Sequence, residues 1–408
     1  DIYTQDVGLI VMTDSAGELQ GFNVTVGGGM GRTHNKEDTF ARTADHLGYV
    51  DKEDVYEVVK AIVATQRDYG DRVQRRHARM KYLIHDWGLA KFQSKVEDYF
   101  GKPIKPFRSM PEFEYKDFLG WHEQGDGRLF LGISIDNGRV KDEGDFRLKT
   151  ALRSIVEQYQ IPMRVTGNQN VILCDIEPQD RVSIQAFLTR HGIKSVEEID
   201  PLTRLMLACP ALPTCGLAVT ESERAIPGIV DRINVVLRHV GLPDEKFVIR
   251  MTGCPNGCAR PYMAELGFVG QTPTSYQIWV AGCPNQTRLA RPFLERMEID
   301  DLEKTLEPLF VYFRQARLKG KKPESFGDFC DRVGLDALHK FMDTYDPNML
   351  NVLNQMDQAK RSDKGRTRYR VNVREDVFRQ LKDTASDKGR TLADIASEAI
   401  EVYLKEMG

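Results

Sequence analysis

Thr252-Gly253-Cys254-Pro255-Asn256-Gly257-Cys258-Ala259-Arg260-Pro261 sets two cysteines in a Pro- and Gly-rich loop with three residues between them. A second pair comes earlier, in Ala208-Cys209-Pro210-Ala211-Leu212-Pro213-Thr214-Cys215, with five residues between its members. Four thiolates on two short loops can hold a tetrahedral metal or a cubane iron–sulfur cluster. Zinc ribbons favour two- to four-residue gaps repeated in both halves, and these gaps of five and three do not repeat. Pro- and Gly-rich loops also turn backbone N–H groups towards cluster sulfurs, which carry negative charge. A helix predicted over residues 226–240 separates the two loops, and a strand over 246–251 delivers the second. The cluster reading is preferred.

The rest of the composition narrows the class. A chain of 408 residues can form two or three domains, and a net charge of −3 argues for neither nucleic acid nor membrane. No apolar run approaches bilayer length, so no membrane partner is expected. Seven cysteines, four of them in this pattern, suggest a reducing compartment rather than a disulfide framework. The chain opens at Asp1, without methionine, straight into the strand-like run 7–13, and is read as a piece of a longer polypeptide.

Further along, 8–12 and 22–26 read as a hairpin turned at Ser15-Ala16-Gly17-Glu18. The second strand breaks into Gly27-Gly28-Gly29-Met30-Gly31-Arg32-Thr33-His34. Such a loop permits close backbone approach to a flat or anionic ligand, although a flexible loop is the plainer reading. Asp51 is expected to cap a helix burying Val55, Val58, Val59, Ile62 and Val63, with Gln66 and Arg67 closing its stripe. Arg72, Arg75, Arg76, Arg79 and Lys81 read first as a solvated face, with some of them as the alternative holders of an anionic cofactor's carboxylates or as a docking face for an electron donor. Residues 102–111 look like a surface linker. Residues 113–190 follow the order β-turn-β-α-β-β-α, with a tight turn at Asp136-Asn137-Gly138 and turn chemistry at Asn168-Gln169-Asn170. Cys174, Cys283 and Cys330 are read as buried thiols.

After Tyr345 the composition turns polar, then basic. A strand at 368–373, a helix over about 375–386 and a second helix from Thr391 resemble the ribbon-helix-helix fold, whose strands pair into an intertwined dimer. Arg368, Arg370 and Asn372 would face a DNA major groove in such a dimer. A dimerisation or docking module with solvated arginines is preferred over DNA reading.

The paired cysteine loops, together with residues 259–270 (ARPYMAELGFVG), 276–279 (YQIW) and 324–328 (ESFGD), resemble the siroheme/[4Fe–4S] sulfite and nitrite reductase family. They are most similar to the ferredoxin-dependent sulfite reductases of cyanobacteria and plastids, and the likeness runs to about Tyr345. It implies an α+β fold: 1–107 the remainder of a first reductase domain, 113–190 a ferredoxin-like half-domain and 195–345 the cluster domain. A linker at 346–366 and the tail module at 367–408 follow. The resemblance further implies siroheme and a [4Fe–4S] cluster, with Cys209, Cys215, Cys254 and Cys258 on the four irons and Cys258 also bridging to the siroheme iron. Gly28, Gly29 and Met30 would line the macrocycle, the Gln66–Arg67 pair would reach it, and Thr252, Asn256, Gly257 and Arg260 would contact cluster or macrocycle. Arg260 could equally be an ordinary ion-pair arginine. The implied activity is six-electron reduction of sulfite to sulfide with ferredoxin as donor, in a cyanobacterium-like cytoplasm or a plastid stroma. The substrate-binding Lys and Arg are expected upstream of Asp1, in a preceding half of the same polypeptide. Nitrite reduction, a dimerising or DNA-binding role of the tail, and an inert piece awaiting its other half are the alternatives.

Overall fold

Strands β1 (Val7–Thr13) and β2 (Leu19–Val26) form the expected hairpin, whose turn is closed by the Asp14 carboxylate. Its Oδ1 accepts from the N–H groups of Ala16 and Glu18, both at 2.9 Å. A third strand, β3 (Asp45–Asp51), completes an antiparallel sheet ordered β1-β2-β3. The computed structural model describes residues 1–34, 36–113, 116, 118–320, 323–354, 375–388, 391–392, 394–396 and 398–399. Residues Asp1–Leu350 form one compact unit and Asn351–Gly408 a second.

Helix α1 (Val55–Tyr69) packs on the first sheet with α2 (Met80–Trp87) and α3 (Leu89–Phe100). Its buried residues are Val58, Ala61, Ile62 and Thr65, an i, i+3, i+4, i+7 stripe. Val63, expected inside, is 56% exposed, because the stripe passes through Ala61 instead. Asp51 is not the cap: it ends β3 and its carboxylate binds Lys105, while Asp54 takes the N-cap position. Lys81 departs furthest from expectation. It is only 1% exposed, since Met80, Tyr82, Leu83 and Ile84 of the same helix are buried around it.

The half-domain is built from β4 (Gly120–Glu123), β5 (Leu129–Ile133), β8 (Met163–Val165) and β9 (Val171–Ile176) in the antiparallel order β4-β5-β9-β8. Between β5 and β8 lie a two-residue hairpin, β6 (Asp142–Glu143) with β7 (Phe146–Arg147), and helix α4 (Leu148–Tyr159). Helix α5 (Arg181–Arg190) follows β9. Leu131, Ile133 and Leu173 meet Leu148, Leu152, Ile155, Ile184 and Leu188 in one apolar core.

Short helix α6 (Pro201–Leu205), capped by Asp200, leads into β10 (Met206–Ala208). Helix α7 (Ile226–His239) then crosses to β11 (Ile249–Thr252). Strands β12 (Leu266–Thr272), β13 (Ser275–Val280) and β14 (Arg291–Glu298) extend one sheet in the order β10-β11-β12-β13-β14. The β10–β11 and β11–β12 pairs are parallel. Two parallel neighbours joined by a helix end on the same edge of a sheet. That edge is where both cysteine loops begin. Helices α8 (Leu302–Ala316), α9 (Phe326–Val333) and α10 (Leu335–Thr344) complete the unit, with Phe310, Phe313, Phe326 and Phe329 buried between them.

In the second unit, α11 (Glu375–Asp387) matches the predicted helix and buries Ala385. The predicted strand 368–373, with Arg368, Arg370 and Asn372, lies outside the described residues.

Candidate cofactor site at two cysteine loops and a glycine loop

Cys209 follows β10 directly, and Gly253-Cys254 follow β11. The Cys209 N–H continues the parallel ladder to Met251 O at 3.2 Å, so its thiol is held against the neighbouring loop. There the Gly253 N–H points at Cys209 Sγ from 3.3 Å. Gly253 O in turn accepts from Val219 N and Thr220 N at 2.8 and 3.3 Å. A Cβ on Gly253 would sit 2.6 Å from Thr220 O and 2.7 Å from the Ala211 methyl, so only glycine lets the two loops close on each other.

All seven cysteines are free thiols. Burial pushes the Cys254 and Cys258 thiols up, and the charges of Cys209 and Cys215 push both the same way. The four sulfurs therefore lie within electrostatic reach of one another. Among the described residues no three Cys, His, Asp or Glu side chains converge tightly enough for a single metal ion. Four thiols gathered on two loops at one sheet edge suit a polynuclear iron–sulfur core. Such a core also supplies the positive charge that lets four neighbouring thiolates coexist. Cys209 and Cys254 are buried and Cys258 is exposed. The Thr252 hydroxyl, beside this loop, is buried without a hydrogen-bond partner.

The glycine loop 27–31 meets the second cysteine loop. The Arg32 N–H donates to Pro255 O at 3.0 Å. Gly257, at φ +66°, leaves room where a Cβ would fall 2.7 Å from the Tyr262 ring and 3.3 Å from Met30 O. Met30 is buried in a cluster with Tyr262, Met263, Val269 and Trp279. The Arg32 guanidinium lies over the Trp279 ring at 5.1 Å and the Tyr262 ring at 5.9 Å. Met30 and Gly31 are thus brought to the side of Gly257 and Asn256, from more than two hundred residues away in the chain, while Gly28 lies against Tyr3 and Gln5 and Gly29 against Arg79 and Lys81.

The Gln66–Arg67 pair is not brought into contact with these loops. Gln66 Nε2 donates to Ala78 O at 2.8 Å, while Arg67 forks onto its neighbour Asp68 with a side chain 67% exposed. Arg260 sits beside Cys258 in left-handed backbone, with its guanidinium on Gly167 O and Asp1 at 2.8 Å each. Asn256 is exposed. Cys283 is buried with its Sγ taking the Thr287 and Arg288 N–H groups, and Cys330 is buried in α9.

The half-domain supplies residues that the sequence places first at turns. Gln169 Nε2 donates to Ala208 O, the carbonyl before Cys209, at 2.8 Å. Asn137 Nδ2 donates to Glu223 O at 2.8 Å, and Arg139 grips the Glu223 carboxylate with two N–H groups. Asn137 and Gln169 both lie at positive φ, 51° and 64°, the conformation that turns each side chain out of its own loop. Amides at turn positions were visible in the sequence; their long-range partners were not.

A family model described as the nitrite and sulphite reductase 4Fe-4S domain matches residues 1–104 and 201–349. The chain belongs to that family. A second model, the nitrite/sulfite reductase ferredoxin-like half domain, matches 122–191. The family's cofactors are siroheme and a [4Fe–4S] cluster. "Sulfite reductase [ferredoxin]" of Synechococcus elongatus is 58% identical over 405 residues, covering 99% of this chain and 62% of the relative. "Sulfite reductase [NADPH] hemoprotein beta-component" of Methylobacterium nodulans is 44% identical, covering 83% of this chain and 55% of its own length. The NirA protein of Mycobacterium tuberculosis superposes with a TM-score of 0.69 at 25% identity, over 82% of this chain and 61% of that one. This chain therefore spans roughly three-fifths of the curated relatives it matches.

Proposed function

We propose that the chain is the cluster-bearing portion of a ferredoxin-dependent sulfite reductase. The observation that carries this reading is the meeting of the glycine loop with the second cysteine loop, through the Arg32–Pro255 hydrogen bond, in a chain of this family. When bound, siroheme and the cluster would supply the one-electron steps that take sulfite sulfur from +4 to −2. Cys209, Cys215, Cys254 and the exposed Cys258 would hold the cluster, with Cys258 the thiol that would serve both cofactors. Gly28, Gly29 and Met30 line the macrocycle, and backbone N–H groups such as that of Gly253 bind cluster sulfur and tune its potential. Thr252 offers an unpartnered hydroxyl to the same space, and Asn256 and Gly257 border it. Gln66 acts through Ala78, the neighbour of the Arg79 that holds Gly28 O, and Arg67 through Asp68, rather than at the macrocycle.

The Lys and Arg that hold the sulfite dianion are expected in the part of the relatives that this chain does not span. Ferredoxin is the electron donor and the cytoplasm the compartment on this reading, and the tail pairs two copies rather than binding nucleic acid. Loss of residues 361–408 should therefore reduce the mass in solution to that of a monomer.

The test is an absorption spectrum with iron and acid-labile sulfide analysis of the anaerobically purified chain, with Cys258→Ser beside it. Siroheme bands and about five irons per chain, both disturbed by the substitution, support the assignment. A wild-type spectrum in the variant removes Cys258 from its role. Competition of sulfite against nitrite for the reduced protein separates the two activities named by the family.

A further inference from the structure

The glycine loop is held from behind by cations. Arg42 Nη1 donates to Gly27 O at 3.0 Å, and Arg79 Nη2 to Gly28 O at 3.3 Å. Lys81 Nζ donates to Gly29 O at 3.2 Å, to Gly31 O at 2.7 Å, and to Phe40 O. The loop's carbonyls are therefore turned towards the protein by side chains from three places in the chain. A Cβ on Gly29 would lie 3.0 Å from the Arg79 guanidinium and 3.1 Å from Lys81 Cδ, so the two cations press directly beneath it.

The charges do not balance. Arg42 is paired with Asp45 and Arg79 with Asp6, each at 2.6 Å. Lys81 and Arg32 form no ion pair with a carboxylate among the described residues, although Lys81 is only 1% exposed. A buried ammonium with its hydrogen bonds on neutral carbonyls, facing only an Asp6 carboxylate already paired with Arg79, is an unfavourable arrangement unless a further anion completes it. The groups facing Lys81 are Asp6 and Arg79, Arg32 from the loop, and the rings of Tyr82 at 4.9 Å and Phe40 at 5.8 Å. The space in front of the loop is the one assigned above to siroheme, a macrocycle rimmed by carboxylates.

We propose that Lys81 is a positioning residue for that macrocycle: it fixes the carbonyls of Gly29 and Gly31 from behind and supplies the uncompensated positive charge that holds the carboxylate rim. The inference rests on the siroheme reading. It gives Lys81 a role in recognising a polycarboxylate tetrapyrrole without contact to it.

Supporting evidence comes from protonation. Burial, with Arg79 and Arg32 acting in the same direction against Asp6, draws Lys81 down to about 8. A polyanion bound in front of the loop favours the charged ammonium, so binding above that pH takes up a proton. Affinity then falls as pH rises from 8, by up to about tenfold per unit for one proton.

The experiment is a titration of siroheme into the 408-residue chain and into Lys81→Met and Lys81→Arg, at pH values from about 7 to 9.5. Binding is followed by absorption, and proton uptake by calorimetry in two buffers. The unaltered chain should lose roughly tenfold in affinity between pH 8 and 9.5 and take up a proton on binding. Lys81→Met should bind at least tenfold more weakly at pH 7, and Lys81→Arg should restore binding without the loss above pH 8, because guanidinium does not titrate there. Lys81→Met binding with the unaltered affinity and pH profile would overturn the inference. Should Lys81→Met not fold, Lys81→Arg decides alone, since retention of the loss above pH 8 overturns the proposal equally. Failure of the unaltered chain to bind siroheme at any pH would overturn the role of Lys81 in this chain, while the iron and acid-labile sulfide analysis above decides the cofactor reading separately.

Discussion

Gln169 reaches the cluster loop through one hydrogen bond, to the carbonyl of the residue before Cys209. Gln169→Asn keeps an amide that tolerates positive φ but shortens it out of reach. The expected cost is about 1 kcal/mol, read as a several-fold faster loss of cluster iron to a chelator at unchanged cluster type. An unchanged rate would show that the bond does not hold the loop. Glu265 offers a second test, beside the buried Cys330. It is fully buried, with its two oxygens accepting the Gly327 and Val248 N–H groups at 3.0 and 2.9 Å. Burial pushes its carboxyl up from 4.5 to about 7, against the opposing pull of those N–H groups. In that window the folded chain holds a proton that the unfolded chain has released. The contribution of Glu265 to stability is therefore fully present below pH 4.5 and lost as pH rises to about 7, at up to about 1.4 kcal/mol per unit. Urea unfolding of Glu265→Gln against the unaltered chain should show a difference that changes with pH across this window. A constant difference would place the titration elsewhere. The four cysteines were legible in the sequence because thiol pairs are rare and chemically specific, whereas the glycine run alone read as a flexible loop and only the family resemblance marked it. Lys81 was not, because the charge run around it suggested solvent while its apolar neighbours carried the opposite signal.

At the scale of elements, the parallel pairing of β10 with β11 decides where the chemistry can be. The helix and the second strand between the cysteine pairs were readable from periodicity. β10 was not, because a three-residue strand leaves no period to detect. The stripe of α1 was read with Val63 for Ala61, an error that follows from giving weight to the larger apolar residue. The half-domain's secondary-structure order was also readable, but its clamp on Glu223 was not, since ion pairs between distant residues have no signature in one sequence. Glu223 is only 8% exposed, so removal of Arg139 leaves a nearly buried carboxylate unanswered. Arg139→Ala should lower the urea midpoint of the chain, by less than a fully buried pair would because Arg139 itself is half-exposed. Adding Glu223→Gln should recover part of the loss in a double-mutant cycle. Additive effects would mean that the pair does not couple the half-domain to the cluster segment.

At the scale of the whole molecule, three tryptophans report on three regions: Trp87 in α2, Trp121 in β4 of the half-domain and Trp279 in β13. A group bound between the glycine loop and the cysteine loops stabilises both the regions that it joins. In variants retaining one tryptophan each, cofactor loading should therefore raise the melting midpoints reported by Trp87 and Trp279 together. A rise confined to Trp279 would separate the glycine loop from the site. The pairing of Arg32 with Pro255 has a further consequence during synthesis. A ribosome adding about 5–20 residues per second needs on the order of ten to forty-five seconds to pass from one to the other. Throughout that interval the glycine loop and its cations have left the ribosome without the wall they are built to meet. Cofactor delivery therefore follows the synthesis of the second cysteine loop, and whatever carries the tetrapyrrole must wait for that wall to emerge.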